Sequence, residues 1–214
     1  RRRSFKTVHS QKQYRLLTTI CRTESNLSME WTDYKTRCFW ANPKNDLYIR
    51  YHDEEWGVPV HDDHRLFEML VLESFQAGLS WECILNKREH FRKAFDNFDL
   101  EKVCGYDDLK IEALCQDPGI VRNRRKIEAA VNNARVFRSI QKEYQSFSNY
   151  LWHWTDEKIV YETGLSSSPL SDAISADLKK RGMKFVGTTI IYAYLQAVGV
   201  IYSHERGCFL ERLP

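Results

Sequence analysis

The feature that most constrains the fold is an apolar run at residues 66–81 (LFEMLVLESFQAGLSW), which carries Glu73 among hydrophobic neighbours. The three- and four-residue steps of one helix face connect Leu66, Met69, Leu70, Glu73 and Ala77. This spacing predicts a helix whose apolar stripe includes a carboxylate. Because burying an ionised carboxylate without partners is costly, Glu73 needs either a structural partner, such as an Arg or backbone amides, or a ligand.

Aromatic residues are dense around this carboxylate: Trp40, Tyr48, Tyr51, Trp56, Phe67, Phe75 and Trp81. Tyr and Trp faces attract cations and stack on planar rings, and a carboxylate beside them can accept hydrogen bonds from ring nitrogens or amino groups. Residues 40–81 therefore predict a pocket for a flat, cationic guest, although clustered aromatics also form ordinary cores.

The composition indicates a soluble, globular chain. Its 214 residues, 43% hydrophobic and 29% charged, fit one domain of ordinary size or a domain with an appendage. The longest uncharged run, residues 185–203, contains Thr188, Gln196 and two glycines, which favours a buried helix over a membrane span. We expect no transmembrane segment, no membrane partner, and a monomer.

Charge is distributed unevenly along the chain. Seven basic residues precede the first acidic residue, Glu24: Arg1, Arg2, Arg3, Lys6, Lys12, Arg15 and Arg22. Without these seven, 25 basic and 29 acidic side chains remain, so the formal net charge of +3 becomes −4 for the rest of the chain. An Arg-rich, acid-free arm is typical of an organelle transit segment or of a basic arm that binds nucleic acid.

In the acidic remainder, any nucleic-acid surface must come from local basic patches. The candidates are Lys87, Arg88, Arg92 and Lys93, then Arg122, Arg124, Arg125 and Lys126, and finally Lys179, Lys180, Arg181 and Lys184. For each patch alone, a solvated helix face is the better explanation.

The six cysteines lack the regular spacing of a disulfide framework, and no secretory signal is visible, so we expect an intracellular protein, in the cytoplasm or a DNA-containing organelle. Cys38 and His52 lie near the start of the predicted domain, whereas His204 and Cys208 lie near its end at i, i+4 spacing. Two thiolates and two imidazoles can form a closed tetrahedral zinc site. Because such a site has no open position for water, the zinc would be structural and would join the chain ends.

The remaining pattern predicts an all-α fold. Asp62 and Asp63 can cap a helix that ends near Ala77, and Ser80 can begin another that reaches Phe95. Further helices are predicted at 107–114, 122–137, 170–180 and 184–200, and one short strand at 158–161. Residues 116–121, with Pro118 and Gly119, predict a turn that presents backbone amides to a phosphate, although most helical hairpins bind nothing.

Several ordered segments together closely resemble a known family: Arg37–Trp40, Tyr48–Asp53, Glu55–Pro59, Glu73 with Gln76–Trp81, Lys179–Gly182 and Phe185–Thr189. They resemble DNA-3-methyladenine glycosylase I, the Tag-type branch of the helix-hairpin-helix DNA glycosylases. The resemblance covers about residues 37–208. It implies a glycosylase domain at 37–214 and leaves 1–36 as a basic N-terminal extension.

The resemblance implies a monofunctional enzyme that flips N3-methyladenine out of damaged double-stranded DNA and hydrolyses its glycosidic bond, with release of 3-methyladenine and an abasic site. It places the catalytic roles on Glu73 and Tyr51 and base binding on Trp81, Tyr48 and Trp40. It implies structural Zn²⁺ on Cys38, His52, His204 and Cys208. It assigns DNA contacts to a wedge at Gly78 and Leu79 and to a hairpin with Gly119, Ile120, Arg122 and Arg124.

The chain departs from the family pattern at three places. Phe39 replaces a small residue after the first zinc cysteine, Ser74 and Phe75 replace a small-polar pair after the key Glu, and Arg125 stands where Gly is common. No residue substitutes visibly for the Asp that related glycosylases place after the hairpin. Two alternatives are a lesion-binding protein without catalysis and a hydrolase with catalytic zinc, and four protein ligands argue against the latter.

Overall fold

The computed structural model describes residues 33–212, so nearly all of the predicted N-terminal extension lies outside the described residues. Helices dominate, as predicted. The α-helices of this part of the chain are α1 Asp46–Arg50, α2 Asp63–Gln76, α3 Trp81–Leu85, α4 Arg88–Ala94, α5 Leu100–Cys104, α6 Asp108–Gln116, α7 Arg124–Tyr144, α8 Phe147–Trp152, α9 Pro169–Lys180 and α10 Thr188–Ala197. A π-helix, Tyr51–Glu55, continues α1, and two 3-10 turns lie at Asp96–Phe98 and His153–Thr155.

Helix α2 is the centre of the core. Its residues 66–75 are all buried, so other elements surround the helix on every side. The sequence predicted burial of one apolar face only. The helix packs against α3, α7, α8 and α10, and the rings of Phe67 and Phe137 meet edge to face at 5.2 Å. As predicted, Asp62 caps its start by accepting a hydrogen bond from the amide of Arg65 (2.9 Å).

The other helix predictions differ mainly at their ends. Ser80 does begin a helix, because its hydroxyl accepts a hydrogen bond from the amide of Cys83 (3.2 Å), but the chain turns at residues 86–87 and divides the predicted helix into α3 and α4. The short helices α1, α5 and α8 were not predicted, since segments of five or six residues carry little periodicity. None of the helices among residues 33–212 combines the length and hydropathy needed to cross a bilayer.

Two short strands pair in parallel, β1 at Val160–Tyr161 and β2 at Ile201–Tyr202. The sequence predicts the first strand but not the second, which follows directly on the apolar helix α10. Because parallel strands end at the same side of a sheet, the segments after β1 and β2 lie side by side. A hydrogen bond from the Ser203 hydroxyl to the carbonyl of Glu162 joins them.

The predicted surface patch of Lys87, Arg88, Arg92 and Lys93 is wrong in part, because two of its members, Arg88 and Arg92, belong to an ion network. Arg88 faces inward and donates to Glu68 of α2 (2.8 Å) and to Glu55 of the π-helix (2.6 Å), and Arg92 also donates to Glu68 (2.8 Å). Arg181 of a second patch likewise pairs with Glu143 and Asp177. Except for Asp177, which is four residues from Arg181, the acidic partners are distant in sequence, so these arginines hold separate elements together.

A close backbone approach at Gly199 gives a test of this packing. Its φ is +73°, and an added Cβ would lie 2.4 Å from the carbonyl carbon of Val58 and the nitrogen of Pro59. We expect Gly199→Ala to lower the free energy of unfolding by more than about 3 kcal/mol in urea titrations, because backbone cannot move aside. At Gly182 (φ +99°) no described atom lies within 4 Å of such a Cβ, so Gly182→Ala should cost only about 1–2 kcal/mol of conformational strain. Equal losses would contradict the close approach.

Candidate functional site

A cavity of about 440 Å³ opens beside the C-terminal half of α2. The structure brings all five predicted pocket residues into its wall: Trp40, Tyr48, Tyr51, Glu73 and Trp81. Trp56 completes the aromatic wall, with its ring 4.8 Å from that of Trp40. The volume suits a small planar molecule that is enclosed on several sides.

Glu73 is the polar centre of this cavity. Its side chain is only 2% exposed, and its Oε2 atom is buried with no hydrogen-bond partner among the described residues. Burial raises the pKa of Glu73 to about 8. The Nε1 of Trp81 is also buried and has no partner within residues 33–212. Unpaired buried polar atoms are rare in folded proteins, so a hydrogen-bonding guest accounts for them better than structure alone.

The two tyrosines of the cavity come from α1 and the π-helix. The π-helix begins at Tyr51, whose carbonyl accepts a hydrogen bond from the amide of Trp56 (2.8 Å), and the Tyr51 ring lies 5.1 Å from that of Trp81. Burial, aided by the charge of Glu73, raises the pKa of Tyr51 well above its ordinary value. Burial and the nearby Glu82 and Glu73 raise the pKa of Tyr48 to about 12. Both phenols therefore remain hydrogen-bond donors at neutral pH.

The structure also places the residues that depart from the family pattern. Ser74 donates to the carbonyl of Leu70 (2.8 Å) within α2, and Phe75 packs on Phe91 with ring centroids 4.8 Å apart. Neither is among the described residues that line the cavity. Phe39 does line the cavity, and its side chain is 76% exposed at the rim.

The outer wall of the cavity was not predicted from the sequence. This wall contains Gly164, Leu165 and Ser166 after β1, and Ser203 and Glu205 after β2. Gln76, Ala193 and Gln196 are further lining residues without a predicted role. No local motif marks these residues, because the pairing of two-residue strands brings them to the cavity.

The predicted Cys and His ligands form one buried cluster. The donor atoms of Cys38, His52, His204 and Cys208 all lie within 4.8 Å of one another. The Sγ of Cys208 lies 3.5 Å from Nε2 of His52 and 3.6 Å from Nδ1 of His204, and Cys38 Sγ lies 3.6 Å from the same Nδ1. Metal–sulfur bonds of about 2.3 Å and metal–nitrogen bonds of about 2.0–2.1 Å would separate tetrahedral S and N ligands by about 3.5 Å. The cluster could therefore hold a metal ion.

The surroundings of both imidazoles suit ligands to a metal. The Nδ1 of His52 lies 2.8 Å from Oδ1 of Asp53, whose carboxylate also accepts two hydrogen bonds of 2.7 Å from Arg37. The Nε2 of His204 lies 3.2 Å from the carbonyl of Trp56. Such contacts orient the rings of metal-binding histidines. Burial lowers the pKa of His204 to about 4 and also lowers that of His52, so both rings are neutral.

The predicted DNA-contacting residues lie in two turns rather than in the cavity. Gly78 and Leu79 form the exposed turn between α2 and α3, with Leu79 42% exposed. The other four, Gly119, Ile120, Arg122 and Arg124, lie at the turn between α6 and α7 or just beyond it. The side chain of Ile120 is buried, so only its main chain can face a partner.

Two details of the second turn affect phosphate binding. The amide of Gly119 donates to Oδ1 of Asp117 (2.7 Å), so a phosphate would have to displace that carboxylate or contact later amides. Arg124 pairs with Glu112 and Glu128, whereas the side chain of Arg122 is exposed.

Lys126 connects the two turns and is not part of a surface patch, contrary to the sequence prediction. It is buried in the first turn of α7, and its Nζ donates to the carbonyls of Phe75 (2.7 Å) and Ala77 (2.6 Å). These carbonyls lie at the end of α2, where the backbone lacks intrahelical partners. Lys126 thus fixes the start of the Gly78 turn to α7.

Comparisons with known proteins agree on one family. A family model described as methyladenine glycosylase matches residues 40–211. DNA-3-methyladenine glycosylase 1 of Escherichia coli is 45% identical over 178 residues, which are 80% of this chain and 95% of that protein. DNA-3-methyladenine glycosylase of Haemophilus influenzae is 41% identical over 179 residues, 81% of this chain and 96% of that protein.

Solved structures give the same result. A crystal structure of 3-methyladenine DNA glycosylase I has a TM-score of 0.79 and 42% identity, and the match covers 83% of this chain and 100% of that chain. A structure of 3-methyladenine DNA glycosylase I from Staphylococcus aureus, described as showing the structural basis of 3-methyladenine recognition, has a TM-score of 0.77 and 36% identity. That match covers 80% of this chain and 94% of that chain.

The raised pKa of Glu73 predicts a pH dependence of stability. The carboxyl titrates ordinarily near 4.5 and at about 8 in the folded protein, so the folded chain holds this proton more tightly than the unfolded chain. Its contribution is fully present below about pH 4.5 and is lost as the pH rises through about 8. Glu73→Gln removes this titration. Between about pH 6 and 9, the free energy of unfolding of the wild type should therefore fall by about 2–3 kcal/mol relative to that of Glu73→Gln. Urea titrations across this range provide the measurement, and parallel curves for both proteins would refute the burial effect.

Proposed function

The chain belongs to the methyladenine glycosylase family, and we infer that it is a DNA glycosylase that excises N3-methyladenine and leaves an abasic site. The observation that carries this proposal is the unpaired carboxylate of Glu73 at the centre of an aromatic cavity. N3-methylated adenine in DNA is flat and cationic. Its ring can stack on the aromatic wall of the cavity, and its positive charge can pair with Glu73.

The cavity chemistry follows from the state of its side chains. The damaged nucleotide leaves the duplex, at a cost of a few kcal/mol that is smaller for a damaged base. Its base then stacks against Trp81, while Glu73 and Tyr51 form hydrogen bonds with its polar edge, and Tyr48 and Trp40 close the aromatic wall. As the glycosidic bond breaks, the electron pair passes to the base, which leaves as neutral 3-methyladenine. Because the base carries a positive charge before cleavage, its departure needs little acid catalysis.

Water then adds to the anomeric carbon and gives up a proton. We propose a monofunctional enzyme, because no lysine is among the described residues that line the cavity, and a lyase would need an amine there. Lys126, whose side chain reaches the end of α2, is engaged with two backbone carbonyls.

For DNA binding, we propose a helix-hairpin-helix role for α6, its turn and α7. Arg122 and backbone amides at or after Gly119 would contact a phosphate of the damaged strand. Leu79 would enter the gap that the flipped nucleotide leaves. Lys126 supports this arrangement, because its hydrogen bonds to Phe75 and Ala77 keep the wedge at a fixed position relative to the hairpin.

For the metal site, we propose structural Zn²⁺ on Cys38, His52, His204 and Cys208. Thiolate and imidazole donors in a tetrahedral set are typical of zinc, and the S–N distances of 3.5–3.6 Å suit it. Four protein ligands leave no position for a catalytic water, so the zinc would hold segments 38–52 and 204–208 together and supply no chemistry.

Base release from DNA treated with a methylating agent tests the enzymatic proposal. Wild-type protein is expected to free 3-methyladenine, identified by chromatography and mass spectrometry. Glu73→Gln should lower kcat/KM by about 100-fold, because the buried charge that pairs with the cationic base is lost. Glu157→Gln, an exposed position outside the cavity, should keep full activity. If folded wild-type protein released no methylated purine, the glycosylase proposal would be wrong.

Metal analysis tests the zinc proposal. We expect about one zinc per chain in the wild type and far less in Cys208→Ala, with a free energy of unfolding lower by about 3 kcal/mol or more. Cys115→Ala alters a half-buried free thiol of α6 and should retain the zinc. Full zinc content in Cys208→Ala would contradict this ligand set.

A further inference from the structure

The cavity has a deep end and a rim, and each end carries one carboxylate. Glu73 lies among buried residues at the deep end, whereas Glu205 is partly exposed and lies near Phe39 and Leu165, which are 76% and 52% exposed. No other charged side chain is among the described residues that line the cavity. The cavity therefore has an acidic side chain at each end and no basic side chain among the described residues that line it.

Main-chain contacts hold Glu205 in place. Its Oε2 accepts a hydrogen bond of 2.9 Å from the amide of Phe39. Its own amide lies 3.3 Å from Sγ of Cys38, so the residue is attached to the Cys and His cluster. Strand β2 ends three residues earlier, and its pairing with β1 sets the direction of the segment. A carboxylate fixed in this way acts at a defined position, unlike a mobile surface Glu.

The location of the substrate sugar follows from the shape of the cavity and rests on the proposed function. A flipped base that reaches Glu73 remains attached to its deoxyribose until cleavage, so the sugar must lie towards the rim. When the bond between C1′ and the base breaks, the base takes the electron pair and becomes neutral. The positive charge then moves to C1′ and the ring oxygen of the sugar, until water adds to C1′ and loses its proton.

We propose that Glu205 is a further catalytic residue whose carboxylate stabilises the positive charge on the sugar in the transition state. Glu73 faces the charge while it is on the base, and Glu205 faces it after it has moved to the sugar. A preorganised group aimed at developing charge is a major source of catalytic rate. Glu205 thus takes an electrostatic role for which the sequence offered no visible candidate.

Two abasic DNA analogues separate this role from ordinary binding. One duplex carries a neutral tetrahydrofuran at the lesion, and the other a pyrrolidine whose protonated nitrogen imitates the charged sugar. We expect the wild type to bind the pyrrolidine duplex at least about 10-fold more tightly. Glu205→Gln keeps an oxygen acceptor for the Phe39 amide but loses the charge, so it should lose this preference and retain its affinity for the tetrahydrofuran duplex. Single-turnover base release should fall by about 10- to 100-fold.

Controls make each outcome decisive. Glu157→Gln changes the net charge equally outside the cavity and should keep the preference. Zinc content and thermal unfolding report whether Glu205→Gln keeps the cluster intact. An undiminished preference in Glu205→Gln, an equal loss of affinity for both duplexes, or no preference in the wild type would overturn the role of Glu205. Failure of wild-type protein to release 3-methyladenine would instead refute the proposed function, whatever the analogue affinities show.

Discussion

The cluster of Cys38, His52, His204 and Cys208 is the contact on which the rest of the site depends. Residues next to Cys38, His52 and His204 line the cavity. Phe39 and Trp40 follow the first ligand, Tyr51 precedes the second, and Ser203 and Glu205 flank the third. More than 150 residues separate His52 from His204 in sequence, and without the cluster only packing and a few hydrogen bonds, such as that from the Phe39 amide to Glu205, would hold these walls at their mutual distance. A metal at this position would act on the chemistry solely by keeping the walls of the cavity together.

Helix α2 shows two ways in which a fold accommodates a buried carboxylate. Glu68 is paired with Arg88 and Arg92, whose hydrogen bonds and charges outweigh desolvation and lower its pKa. Glu73, five residues later, has desolvation as the cause of its raised pKa. From the sequence, Glu73 could have either a structural partner, such as an Arg, or a ligand. In the structure, the acid of α2 that has arginine partners is Glu68. The contrast indicates that the fold can provide a partner for an acid on α2, so the unpaired state of Glu73 is a feature of the cavity.

Local pattern was enough to predict the helical fold and the starts of some helices, because capping residues such as Asp62 and Ser80 act over three residues. Residue types also predicted the aromatic pocket around Glu73 and the set of Cys and His ligands, and the family resemblance assigned their roles. The features that neither the local pattern nor the family resemblance predicted depend on long-range contacts. Arg88 and Lys126 looked like surface charges, since their partners lie in other helices. No motif marks Glu205, which the pairing of two-residue strands and the hydrogen bond from the Phe39 amide bring to the cavity.

The energetics of Glu73 suggest how the cavity discriminates between bases. A pKa shift from 4.5 to about 8 corresponds to roughly 5 kcal/mol of disfavoured ionisation in the empty cavity. A cationic base removes that penalty, because it places a positive charge beside the carboxylate in a medium where water screens little. Undamaged adenine has the same stacking surface but is neutral, so it does not offset the cost of ionising Glu73. The desolvation that disfavours ionised Glu73 thus adds to the preference for a methylated, cationic base that the aromatic faces of the cavity already provide.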